Sequence, residues 1–291
     1  MSAATFQSSS KRGLIFIPNP DTPQDNTIWE QGDLTWYYNY GLEPSPSFSP
    51  NTSFHFVPML WGAPNSTTDT AFLDGVKAQL SAGSNVSYVL TFNEPDGTST
   101  TGGSNVSPDL AAQTWIREVE PLRALGVKTG APAVTGSTSG FTWLQSFFSA
   151  CNGGCTADFI PVHWYGDFQG LADHIGQVRG TYPNTTIWIT EYALPNDKNL
   201  TDTQSFFNTS AEYFDRLDYV THYSYFGSFR SSASNVGANP AMLSAKGELT
   251  DIGSWYLGGA ATGTMPTSDG AVVTVGSMWA LFVVGICFYM L

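Results

Sequence analysis

Along the chain, short runs of apolar and β-branched residues recur at Gly13 to Pro18, Thr35 to Tyr40, His55 to Gly62, Tyr88 to Pro95, Val127 to Val134, Asp158 to Gly166, Thr186 to Ala193 and Tyr219 to Gly227. Runs that are continuous rather than alternating mark strands covered on both faces, as in a parallel sheet. Between most of them the spacing turns helical. The clearest case is Pro108 to Leu125, where Ser107 is placed to cap and Pro108 takes the first helical position. Leu110, Trp115, Val119, Leu122 and Leu125 then recur at helical intervals until Gly126 ends the run. Thr70 to Leu80, Phe141 to Ala150, Leu171 to Arg179 and Thr203 to Leu217 read as helices too, whereas the first two connections read as loops. The pattern predicts an α/β fold: a single (β/α)8 TIM-type barrel over residues 13–257, with an incomplete outer helix ring. A doubly wound open sheet is the alternative, but no Gly-x-Gly-x-x-Gly follows the first run to cradle a nucleotide phosphate.

The two ends read differently. Residues 1–12 form an N-terminal segment without the apolar stretch of a signal peptide. Residues 271–291 carry no charge and are long enough to cross a bilayer, yet nothing basic follows them. Small residues at Gly258, Gly259, Ala260 and Ala261 and a polar spacer to Gly270 make residues 258–270 a candidate GPI-attachment region, with the hydrophobic tail as its signal. A tail anchor and a buried terminal helix are the rivals. A GPI protein also needs a signal peptide, so the sequence is expected to lack its leader.

Charge changes the picture next. With 11 Lys and Arg against 24 Asp and Glu, the net charge of −13 offers no basic stripe for nucleic acid or for an anionic membrane surface; a membrane would be reached only through a lipid anchor. A surface so poor in charge suits an extracellular or cell-wall setting, with a monomer expected. Sequons at Asn51, Asn65, Asn85, Asn105, Asn184, Asn199 and Asn208 agree with the secretory pathway. Cys151 and Cys155 bracket Asn152-Gly153-Gly154, which can double back into a small disulfide loop; two free buried thiols are the alternative.

In a barrel the chemistry sits at the C-terminal strand ends. The second run ends Trp36-Tyr37-Tyr38-Asn39-Tyr40, the third Met59-Leu60-Trp61-Gly62 and the fourth Asn93-Glu94-Pro95-Asp96. The sixth ends His163-Trp164-Tyr165-Gly166, the seventh Thr190-Glu191-Tyr192 and the eighth Tyr223-Ser224-Tyr225-Phe226-Gly227. Two carboxylates thus face one aromatic mouth. Sugars suit such a mouth, because their C–H faces pack on flat rings while their hydroxyls take hydrogen bonds. Paired carboxylates are also the apparatus that breaks a glycosidic bond, which makes Glu94 and Glu191 the candidate pair. Trp36, Trp61, Trp164 and Tyr225 are candidate sugar platforms. Alternation lets only one of Trp164 and Tyr165 point at the pocket. Asp96 either lines the cleft or caps the loop that begins at Gly97. His55, His174 and His222 read as structural.

Asn93-Glu94-Pro95 with Glu191 resembles the acid/base and nucleophile arrangement of the retaining clan A glycoside hydrolases. Pro58-Met59-Leu60-Trp61-Gly62, Asp158-Phe159-Ile160-Pro161-Val162-His163-Trp164-Tyr165-Gly166, Trp188-Ile189-Thr190-Glu191-Tyr192-Ala193 and Gly247-Glu248-Leu249-Thr250 resemble more closely the fungal alkali-sensitive-linkage type, glycoside hydrolase family 128. The likeness runs from Lys11 to about Leu257. It implies an endo-β-1,3-glucanase acting on β-1,3-glucan, with or without transglycosylation, and no cofactor or metal. Glu94 would be acid/base and Glu191 nucleophile; Asn93 would lie near the sugar beside the scissile bond, and His163 would orient Glu191 or bind a hydroxyl. A clan A hydrolase on another β-glycan and a non-catalytic glucan-binding wall protein are the other readings. In the enzymatic one Glu94 keeps its proton while Glu191 is ionised, which the repulsion of a nearby like charge favours.

Overall fold

The computed structural model describes residues 8–48 and 54–267; Asn51 and the hydrophobic tail 271–291 lie outside the described residues. All its strands are parallel: β1 (Gly13–Ile15), β2 (Trp36–Tyr38), β3 (His55–Phe56), β4 (Met59–Leu60), β5 (Tyr88–Asn93), β6 (Lys128–Ala133), β7 (Phe159–Tyr165), β8 (Thr186–Ala193) and β9 (Val220–Tyr223). β3 and β4 are two pieces of the predicted third run. Pro58 parts them, having no N–H to give a ladder. The break is spanned all the same, because Val57 N–H and Met59 N–H bond to Tyr37 and Gly41, and Leu90 N–H bonds to Pro58. β1-β2-β3 and β4-β5-β6-β7-β8-β9 are therefore halves of one eight-stranded wall. A parallel bridge from Arg12 to Tyr223, with Tyr223 N–H on Lys11 O at 2.8 Å, closes it into a barrel.

Outside lie α1 (Ala71–Ser81), α2 (Pro108–Thr114), α3 (Glu120–Arg123), α4 (Thr138–Cys151), α5 (Phe168–Thr181), α6 (Leu200–Arg216) and α7 (Asp251–Tyr256). The helix predicted at 108–125 is interrupted by a π-turn, Trp115–Val119. Pro121 just inside α3 cannot donate backward, and the wider turn absorbs the missing bond. Ser107 caps α2 through Leu110 N–H as expected, while Ser137, Asp167 and Asn199 start α4, α5 and α6 a few residues before their apolar periodicity begins. Among the described residues the helix ring is incomplete where the sequence indicates: β1 is followed only by 3-10 turns (Pro23–Glu30) and β2 by no helix.

Both chain ends of the barrel extend beyond the predicted limits. Ser9 bonds through its N–H to Asp33, and Lys11 Nζ donates to Phe214 O and Leu217 O, closing off the C-terminus of α6. At the other end Asp251 Oδ1 accepts from Thr262 and Gly263 N–H, and buried Pro266 accepts from Ala245 N–H. The part of the predicted spacer within the description is thus packed on the barrel. Cys151 and Cys155 form the disulfide, with Asn152 and Gly153 at φ 46 and 83 turning the chain back. Sequon residues Asn65, Asn85, Asn105, Asn184 and Asn199 are exposed, whereas Asn208 sits half-buried on α6.

The barrel floor is aromatic. Trp188 stacks on Phe159 at 4.1 Å and on His222 at 3.6 Å, and Trp36 packs against both Trp188 and His222. Trp36 is 3% exposed, so it is a floor residue and not a sugar platform. Burial lowers the pKa of His222 to about 4 and likewise that of His174, which keeps both neutral in the packed interior.

Arg12 is fully buried at the seam, donating to Tyr223 Oη at 3.1 Å, to Asp33 and to Tyr256 O. Arg12→Met should lower the unfolding free energy by about 3 kcal/mol, the low end for breaking a buried pair because Asp33 keeps some solvent contact. Urea denaturation checks this, and an unchanged midpoint contradicts the seam's role.

Candidate active site

Two carboxylates reach the mouth of the barrel by irregular backbone. In β8 the pairing with β7 runs Val162 to Ile189 and then His163 to Glu191, so Thr190 is an extra residue. Trp188 points into the lumen; strict alternation would turn Glu191 outward, and the bulge turns it inward. Glu94, directly after β5, has φ 40, a left-handed conformation that costs a non-glycine residue about 1–3 kcal/mol. It is held by Glu94 N–H on Ala133 O at 2.7 Å and by Gly97 N–H on Glu94 O at 2.8 Å. Gly103 packs against it, and a Cβ there would lie 2.6 Å from Glu94 O.

His163 stands between the two acids. Its Nδ1 lies 3.2 Å from Glu94 Oε1 and 3.4 Å from Glu191 Oε2, and one oxygen of each carboxylate and the imidazole nitrogen all fall within 4.8 Å of one another. Glu191 is the more enclosed, its side chain 6% exposed against 14% for Glu94. Tyr40 Oη donates to its Oε1 at 2.7 Å and Tyr165 Oη to its Oε2 at 2.6 Å, while Tyr38 donates to Thr190 O. Burial raises the pKa of Glu191 above the ordinary carboxylate value; the charge on His163 and the two tyrosine hydroxyls work in the opposite direction, and Glu94 adds to the rise. For His163, burial disfavours the imidazolium, but the charges of Glu191 and Glu94 and the hydrogen bond to Glu94 outweigh it and leave the pKa above 6.5.

Among the described residues these three groups are also the one His/Cys/Asp/Glu set close enough to hold a cation. Within this set Tyr40 and Tyr165 donate to the two oxygens of Glu191, and the imidazole nitrogen faces Glu94 Oε1. Asn93 is buried; its amide N–H donates to Gly102 O, and its Oδ1 has no protein partner. Trp61 is exposed, with its carbonyl accepting from Asn93 N–H.

Three of the sequence-predicted platforms lie elsewhere. Trp36 is in the floor. Tyr225 is wholly buried against Tyr192, Phe207 and Tyr256 on the helix side, and its neighbour Phe226 packs edge-on against Tyr165 instead. Trp164 points away from His163 and Tyr165, its indole donating to Asp167 O and packing on Gly170. Tyr40, which donates to Glu191, and Tyr38, which donates to Thr190 O beside it, are not among the residues the sequence singles out. The period of two along Trp36, Tyr38 and Tyr40 carried that signal, since of the three only Tyr40 lies beyond the strand's C-terminal end.

Residues 13–256 match the family described as the glycosyl hydrolase catalytic core. Alkali-sensitive linkage protein 1 of Schizosaccharomyces pombe is 32% identical over 257 residues, 86% of this chain and 44% of the relative. The chain belongs to glycoside hydrolase family 128. It spans less than half of that curated relative's length. Among solved members of family 128, an endo-β-1,3-glucanase from Lentinula edodes is 27% identical with a TM-score of 0.68, covering 86% of this chain and all (100%) of that one. A mutant endo-β-1,3-glucanase from Amycolatopsis mediterranei in complex with laminarihexaose is 26% identical with a TM-score of 0.64, over 86% of this chain and 100% of that one.

The charge coupling predicts a shift that needs no substrate. In a ring-nitrogen NMR titration His163 should titrate above 6.5, and Glu191→Gln should move it downward, because the larger of the two neighbouring negative charges that favour the imidazolium is gone. An unmoved midpoint contradicts the coupling.

Proposed function

We propose that this family 128 chain is a retaining β-1,3-glucanase that cleaves internal bonds by double displacement. The observation that carries the reading is the carboxylate spacing. One oxygen of Glu94 and one of Glu191 lie within 4.8 Å, nearer the roughly 5–5.5 Å of retaining enzymes than the about 6.5–9.5 Å of inverting ones.

Glu191 attacks the anomeric carbon while Glu94 gives its proton to the departing glycosidic oxygen, leaving an ester on Glu191. Glu94 then takes a proton from water, whose oxygen displaces Glu191 with a second inversion. The tyrosines fit these roles. Both oxygens of Glu191 accept hydroxyl donors, which favours the ionised form a nucleophile needs, whereas Glu94 Oε1 meets only the imidazole. Esterification of Glu191 removes a negative charge beside Glu94, so the acid of the first step becomes the base of the second. A second glucan chain in place of water gives transglycosylation by the same steps.

The substrate class is supported by the family 128 endo-β-1,3-glucanases similar to this chain, one of them bound to laminarihexaose. Here Trp61, just past the end of β4, supplies an exposed ring. An extracellular, glycosylated and lipid-anchored setting fits the sequons and the apolar tail and is part of the same proposal.

Glu191→Ala and Glu94→Gln should each lower laminarin hydrolysis at least about 100-fold, the scale of lost acid–base or nucleophilic catalysis, with circular dichroism unchanged. Early proton NMR of wild-type digests should show the β-anomer first. A fully active Glu191→Ala, first release of the α-anomer, or glucan binding without oligosaccharide release each contradicts the reading.

A further inference from the structure

We propose that Asp96 is a positioning residue for Glu94, fixing the acid/base carboxyl from two residues away. This rests on the acid/base reading of Glu94 above. Asp96 neither lines the cleft as a ligand group nor caps its own loop. Its Oδ1 accepts Thr135 N–H at 2.9 Å and its Oδ2 accepts the Thr135 hydroxyl at 2.5 Å, so both oxygens are spent on the neighbouring β6–α4 connection.

The contact continues a register. Glu94 N–H bonds to Ala133 O, and two residues on, Asp96 bonds to Thr135. Residues 94–96 are thereby stitched to residues 133–135 on both sides of the one residue with the left-handed φ. Pro95 between them is buried and offers no N–H to the ladder, and the side chain of Asp96 accepts Thr135 N–H as a ladder carbonyl would in a regular strand. Thr135 is anchored in turn: its hydroxyl lies 2.7 Å from Ser137 Oγ, and Ser137 caps α4 by accepting Gly140 N–H. The direction in which Glu94 leaves the barrel wall is thus tied to the start of a helix of 14 residues, Thr138–Cys151, as well as to the loop contacts at Gly97 and Gly103. The rest of that loop meets this segment through Ser104 N–H on Asn93 O, Val106 N–H on Pro95 O and the Asn93 amide on Gly102 O.

The test separates positioning of an acid from general damage by the leaving group. Natural glucan needs a proton on its leaving oxygen, and a dinitrophenyl β-laminaribioside does not; kcat/KM reports the step that forms the glycosyl-enzyme for both. Asp96→Ala should lose about 30- to 100-fold in kcat/KM on laminarin, the scale of a displaced catalytic group, while changing less than about threefold on the dinitrophenyl substrate. Asp96→Asn, which can still accept from Thr135 N–H and donate to its hydroxyl, should restore most of the loss. Thr135→Val, which removes only the hydroxyl, should fall between. Equal loss on both substrates, or none on laminarin, overturns the proposal; if Asp96→Ala does not fold, the Asn and Val variants decide by the same ratio. Glu94→Ala serves as the reference: a loss confined to laminarin upholds its acid role, and equal loss on both substrates counts against the proposed function itself rather than against Asp96 alone.

Discussion

The mouth of this barrel is organised around one buried carboxylate. Glu191 is 4% exposed, and a charge taken that far from water is tolerated only when its lone pairs are filled. The donors come from separate strands: Tyr40 from beyond the end of β2, and His163 and Tyr165 from β7. Each hydrogen bond to a charged group is worth about 1.5–3 kcal/mol, so together they answer much of the desolvation and also fix the plane of the carboxylate. The same set ties β2 to β7 and β8 across the lumen. Barrel stability and the orientation of Glu191 therefore draw on one group of contacts, and the site cannot be loosened without loosening the wall around it.

Two backbone departures deliver the acids to that position. The extra residue Thr190 flips Glu191 to the lumen, and the left-handed Glu94 turns the end of β5 across it. Neither departure is stable by itself. The bulge is held by the ladder on both sides, and Glu94 by amide contacts to β6 and by a glycine at 103 that lets the loop pass within van der Waals distance. Strain at the two glutamates is thus balanced by regular structure directly behind them, in β6 and β7.

Much of the architecture was legible in the residues because parallel strands buried on both faces write continuous apolar runs, and all eight runs contain strand. The helices were legible in their middles, where the apolar stripe faces the barrel, and less so at their starts, where a cap such as Ser137 or Asp167 sets the first turn without any periodicity. The break at Pro58 and the π-turn before Pro121 are local consequences of a missing N–H, and the long-range contacts decide whether the chain ends there or bridges the gap. Both glutamates were legible as strand-end carboxylates. Their inward orientation was not, because a bulge of one residue changes the parity on which the reading depends. The same one-residue ambiguity exchanged Tyr225 for Phe226 at the eighth strand's end.

The aromatic residues show why composition pointed to the right chemistry through partly the wrong side chains. Aromatic residues make up 14% of the chain, a share suited to a sugar-binding mouth, yet most of those resolved at strand positions are consumed by packing. Trp188, Phe159, Trp36 and His222 form a stacked floor, while Tyr192, Tyr225 and Tyr256 seal the space between wall and helices. Depth along the strand separates the uses. Trp36 and Tyr38 share one face of β2 with rings 6.0 Å apart, Tyr40 packs edge-on beyond them, and only the upper two carry a hydroxyl that reaches the Glu191 segment. A ring low in the lumen can only fill volume, whereas one at the rim with a polar tip can fill volume and orient a carboxylate at once. In a closed eight-stranded barrel, position along the strand axis therefore says more about function than residue type does, and Tyr40 and Tyr165 are the residues in which the two coincide.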